Sequence, residues 1–117
     1  MSANVKTDGG NIIIENTVLA HIAGISAMES YGIVGMASKS ATDGLLEILK
    51  FDNLSKGIKV STEDNQINIE LHVVLEYGVK ISVVGENIID RVRFNIENLT
   101  GLKVDNIEVF VEGIRLK

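Results

Sequence analysis

Residues 57–114 read GIKVSTEDNQINIELHVVLEYGVKISVVGENIIDRVRFNIENLTGLKVDNIEVFVEGI, and this stretch decides the fold. Ile67, Ile69, Leu71, Val73 and Leu75 alternate with other residues, which puts one apolar stripe on one side of a strand. Ile58 and Val60 begin a partner strand, and Glu63-Asp64-Asn65-Gln66 supplies the turn between them; Asp and Asn tolerate the left-handed backbone that tight turns need. After Gly78 the period changes. Ile81, Val84, Ile88, Val92, Ile96 and Leu99 recur at helical spacing, so a helix is expected over about Lys80–Thr100, with Gly101 as its C-terminal cap. The last strand runs from Val104 to about Arg115, with Ile107, Val109 and Val111 on one side.

The outward positions set the architecture. Asn68, Glu70, His72 and Glu76 lie opposite the apolar stripe, and Glu108 and Glu112 do the same on the last strand. A sheet covered by helices on both faces lacks such alternation. The expectation is therefore an α+β fold, a mixed β-sheet with its helices packed on one face. It includes a hairpin–long helix–strand unit with a right-handed crossover.

Outside this stretch the signals weaken. Residues 1–10 are polar, end in Gly9-Gly10 and read as a flexible tail, leaving 11–117 as a single domain. Ile12-Ile13-Ile14 reads as a short strand. Asn16 or Thr17 can cap a helix that runs to about Ser30, with Val18, Ile22 and Ile25 on one face and Leu19 beside them. Gly32 breaks that helix, and a strand follows to Ser38. Residues 39–57 read either as a short helix holding Leu45, Leu46, Ile48 and Leu49, capped by Ser40 or Thr42, or as a flap.

The totals bound the function. A chain of 117 residues is one domain by size, and 45% hydrophobic residues argue against disorder. A net charge of −5 with scattered basic residues disfavours nucleic acid and unaided adsorption to anionic lipid. The absence of cysteine excludes disulfides, thiolate catalysis and cysteine-ligated metals. No signal peptide is evident, and no apolar run approaches the roughly 20 residues that span a bilayer. A cytoplasmic location is expected.

No catalytic constellation emerges. His21 and His72 are not an i, i+4 pair, and with Glu70 and Glu76 they read as surface polar residues rather than a metal site. Asp43, Asp52, Asp64 and Asp90 fit turn, loop or helix-surface positions, and serines 26, 38, 40 and 82 lack a nucleophile-elbow context. Gly32-Ile33-Val34-Gly35 has the bare GXXG spacing of an RNA-clamping loop, but its middle is apolar and the nearest base is Lys39. Lys80, Arg91 and Arg93, set against Glu86, Asp90 and Glu97, read as a solvated helix face. No cofactor, metal or catalytic residue is expected. Two apolar residues fall on the polar side of their strands: Val74 beside His72, and Phe110 beside Glu108 and Glu112. Adjoining on neighbouring strands, His72, Val74 and Phe110 would form a partner-binding patch.

Taken in order, the pieces Tyr31-Gly32-Ile33-Val34-Gly35-Met36, Gly57-Ile58-Lys59-Val60, Tyr77-Gly78-Val79-Lys80-Ile81, Leu99-Thr100-Gly101-Leu102-Lys103-Val104 and Asn106 to Ile114 resemble the alkaline-shock protein family of Gram-positive bacteria. The likeness runs from about Ile12 onward. It implies a non-enzymatic interaction or scaffold protein of cell-envelope stress or lipid homeostasis, with no catalytic residue to carry over. It also implies a protein partner, membrane-anchored in some members and able to recruit the chain to the inner membrane face, and homo-oligomers. The alternative is a small-molecule or acyl-chain-binding regulator of lipid metabolism, with a pocket beneath residues 39–57.

Overall fold

The computed structural model describes residues 2–39, 46–49 and 57–116. In chain order the elements are β1 (Ser2–Thr7), β2 (Gly10–Glu15), α1 (Asn16–Met28), β3 (Ile33–Lys39), β4 (Leu46–Leu49), β5 (Ile58–Glu63), β6 (Gln66–Glu76), α2 (Ile81–Thr100) and β7 (Val104–Arg115).

β6 is the spine of the main sheet. β5 pairs antiparallel along its first half, from Glu63↔Gln66 to Ile58↔Leu71, and β3 pairs antiparallel along its end at Val73–Leu75. β7 runs parallel along the opposite edge from Ile67↔Val104 to Glu76↔Arg115, as expected for strands joined through a helix. β4 lies outside β3. The sheet is mixed, and the fold is α+β.

The core lies between one face of this sheet and both helices. Ile67, Ile69, Leu71, Val73 and Leu75 of β6 are buried against Val84, Ile88, Val92 and Ile96 of α2 and against Leu19, Ala20, Ala23 and Ala27 of α1. Each large side chain buried this way contributes about 1.5–3 kcal/mol from area alone. In the β5–β6 turn, Asp64 and Asn65 have φ of 52° and 61°, both left-handed as the sequence pattern requires. Gly101 ends α2 at φ 76°, its N–H donating to the Glu97 carbonyl at 2.9 Å.

Four expectations are corrected. Residues 2–7, read as a tail, form β1 and pair with β2 across an Asp8-Gly9 turn. Asp-Gly between alternating apolar residues is a hairpin signal in its own right, and the polar composition of the stretch concealed it. The hairpin is docked by Asn65, whose side-chain amide accepts from the Asn4 N–H and donates to the Asn4 carbonyl, both at 3.1 Å. Second, α1 turns a different face inward. Leu19, Ala20, Ala23, Gly24, Ser26 and Ala27 are buried, whereas Val18 and Ile25 stay about half exposed. α1 packs on both the sheet and α2, and small side chains permit that close approach. Third, neither Asn16 nor Thr17 caps α1. Its N-cap residue is Glu15, with no side-chain cap bond, and Asn16 instead bridges to β5 through the Val60 carbonyl and the Thr62 hydroxyl. Fourth, Leu46–Leu49, read as part of a short helix or a flap, is a strand paired with β3. Its short chain supplies the sheet edge beside Met36–Lys39. Ser40 and Thr42 lie outside the described residues, as does most of the 39–57 segment.

Candidate functional site

The chemistry-bearing cluster sits on the face of the sheet opposite the helices. Alternation along β6 turns Glu70 and His72 to that face, and the parallel register sets His72 opposite Phe110 and Glu70 opposite Glu108. A register shift after the Val73↔Val111 pair leaves Glu112 as an extra residue on β7, a bulge that re-aims its side chain. Both imidazole nitrogens of His72 then meet carboxylates. Nδ1 is 2.9 Å from Glu112 Oε1 and Nε2 is 2.9 Å from Glu70 Oε2. The ring of Phe110 lies flat on the imidazole, centroids 4.9 Å apart and planes 10° apart.

Burial by itself would lower the His72 pKa, but the hydrogen bonds and charges of Glu70 and Glu112 outweigh it. The net result is a pKa raised above the ordinary 6.5. The protonated ring donates to both carboxylates, and the neutral ring donates to one. The arrangement is a cross-strand clamp tying β6 to β7. It is not built as a metal centre, because the two carboxylates hold opposite nitrogens of the ring. Among the described residues, no group of three or more His, Asp or Glu side chains converges on a point.

The structure places the three residues of the expected patch differently. His72 and Phe110 are in contact, and Phe110 remains 39% exposed. Val74 does not belong to the accessible surface, being 0% exposed. It pairs with Gly35 on one side and Gly113 on the other, and its full burial keeps it out of any docking surface. Glu70 was legible as the i−2 neighbour of His72 on one strand face. Glu112 was not, because its place depends on the bulge. His21 is exposed on α1, away from this cluster.

β7 is the outermost strand on its side of the sheet among the described residues, with β6 as its paired neighbour. Its Phe110, Val111 and Ile114 are each about two-fifths exposed. Beside it, an open groove of about 490 Å³ crosses β5, β6 and β7, lined by Lys59, Ser61, Asn68, Glu70 and Glu108. A second groove, of about 500 Å³, lies on the helix side by Tyr31, Asp90, Arg91 and Phe94. The pocket expected beneath residues 39–57 falls largely outside the described residues. No helix among the described residues is long and apolar enough to cross a membrane.

Comparison with known proteins gives the kinship. Over 99% of its length the chain is 43% identical to YloU of Bacillus subtilis, covering 98% of that protein, which is itself uncharacterized. It is 41% identical to the uncharacterized Spy1614 of Streptococcus pyogenes, across 99% of this chain and 97% of the relative. It is 33% identical to the uncharacterized YqhY of Bacillus subtilis, across 91% and 78%. No solved structure matches. A family model matches residues 4–116, nearly the whole chain. The protein belongs to the alkaline-shock protein 23 family, which has a cell envelope-related function.

Proposed function

We propose that this protein is a non-enzymatic docking module of envelope or lipid homeostasis, acting in the cytoplasm by holding a protein partner against the outer face of β6 and β7. The observation that carries the reading is the exposed Phe110 ring held flat on a clamped His72. An aromatic side chain with its rotamer fixed before binding loses little conformational entropy on capture, which is the character of an interface anchor. The family's envelope-related description supports the setting. A membrane-anchored partner would bring the chain to the inner membrane face.

Tagged protein and its Phe110→Ser variant, used for affinity capture from the source organism with and without membranes, test this reading. The wild-type chain is expected to retain a specific protein that the variant loses, with melting temperatures within a few degrees of each other. Equal capture by both, or capture of nothing by either, overturns the proposal. A large fall in melting temperature for Phe110→Ser would make Phe110 a structural residue instead.

A further inference from the structure

Resting on that docking reading, we infer that His72 is a proton-operated lock on the docking anchor: the protonated imidazole fixes Phe110 for capture, and loss of the proton frees the ring together with Glu70. Phe110 lies opposite His72 in the β6–β7 register. Its ring stands 4.9 Å from the imidazole and within 10° of parallel, so a movement of the imidazole moves the surface on which Phe110 rests. Two carboxylates hold that imidazole, Glu70 at Nε2 and Glu112 at Nδ1, each at 2.9 Å. The imidazolium has an N–H for each of them, and the neutral ring has only one. Losing the proton therefore leaves one carboxylate 2.9 Å from a bare nitrogen. Two acceptors share no hydrogen bond, and that contact opens. The stack weakens as well, because a cation within about 6 Å of an aromatic centroid is attracted by the ring quadrupole, and a neutral imidazole lacks that attraction.

The surroundings decide which carboxylate leaves. Glu112 is the more enclosed, its side chain 17% exposed against 33% for Glu70, and it is held by more than His72 alone. Glu70 has Lys59 directly opposite on β5 and Glu108 directly opposite on β7. Opposite charges across a ladder attract and like charges repel, so Glu70 released from His72 turns toward Lys59. The charged groups on this face are thus Lys59 from β5, Glu70 and Glu76 from β6, and Glu108, Glu112 and Arg115 from β7. Glu76 and Arg115 face each other beyond the bulge. β3 sets Met36 and Gly35 beside Val73 and Val74, and neither of them titrates. Glu70 and Glu112 outweigh the cost of burial and raise the His72 pKa above 6.5, so the lock is closed at acidic pH and opens as pH rises through that raised value.

The test is an NMR titration of the full chain, isotope-labelled at histidine and phenylalanine, over about pH 5.5–9.5, which brackets the ordinary histidine range. The Phe110 ring signals are expected to move with the same midpoint as the His72 imidazole, and ring relaxation to show more motion on the alkaline side. Glu70→Gln removes one of the two carboxylates and should lower both midpoints together. His72→Gln should leave the Phe110 signals unresponsive to pH. Amide spectra of α2 check that each variant is folded. Phe110 signals that stay fixed while His72 titrates overturn the lock, as does a Phe110 midpoint that fails to follow His72 in Glu70→Gln. Partner capture repeated at the two ends of the range extends the test to docking. Retention by the wild-type chain should fall at least about tenfold at the alkaline end, and retention by His72→Gln should not change. Equal wild-type retention at both ends overturns the control of docking. The titration needs no partner, so a failed capture removes the docking reading while the ring still decides the lock, and a flat titration removes the lock while capture through Phe110 stands.

Discussion

Gly32, between α1 and β3, has φ of 87°, and a Cβ added there would stand 2.9 Å from a methyl of Val84 in α2. Both the backbone angle and the space demand glycine, so Gly32→Ala is expected to lower stability by about 1–3 kcal/mol in denaturant titration. His72 sets the pH behaviour. Its folded-state pKa is raised above the unfolded value, so its contribution is complete below the unfolded pKa of about 6.5 and is lost as pH rises through the folded pKa. Stability should therefore fall as pH rises above about 6.5, and His72→Gln, which keeps hydrogen-bonding capacity but no titrating charge, should flatten that slope. Equal slopes for the two proteins in melting curves would show that the clamp does not couple to folding. The alternation of β6 predicted the outward direction of His72. That Phe110 faces it and Glu112 reaches its other nitrogen is decided by a contact spanning 40 residues.

At the scale of elements, α2 and the β5–β6 hairpin were readable because their signals are local: a helical period, a left-handed Asp-Asn turn and a glycine cap. The four inward residues Val84, Ile88, Val92 and Ile96 are those the spacing names. Leu99 and Ile81, also in that stripe, remain exposed at the two ends of α2. α1 resisted the same reading because apolar residues surround it, so periodicity does not select a face. Its start is also incomplete. Glu15 has the extended geometry of an N-cap, φ −69° and ψ 149°, without a side-chain cap bond. Glu15→Asp keeps the charge near the helix dipole and shortens the side chain to capping reach. It is expected to raise stability by about 0.5–1 kcal/mol, measured as a shift of the denaturation midpoint. The β1–β2 hairpin depends on Asn65, so Asn65→Ala should speed amide exchange in β1 while leaving α2 protected.

At the scale of the molecule, one core joins both helices to the spine strand. Ile88 is 0% exposed at its centre, and Ile88→Ala is expected to cost about 2–5 kcal/mol. Helix and strand signals should still melt together, whereas separate transitions would divide the chain into two folding units. Partner docking would draw on the side of the sheet this core leaves uncovered. The sequence by itself determined the central hairpin, the long helix with its cap, the parallel closing strand and the choice of α+β, because each rests on the local period and backbone preference of neighbouring residues. Only the tertiary structure decided which face of α1 is buried, that Val74 is enclosed, and that Phe110, His72, Glu70 and Glu112 form one cluster. Those outcomes depend on the register between distant strands and on where the helix layer ends, and neither is written in the spacing of nearby residues.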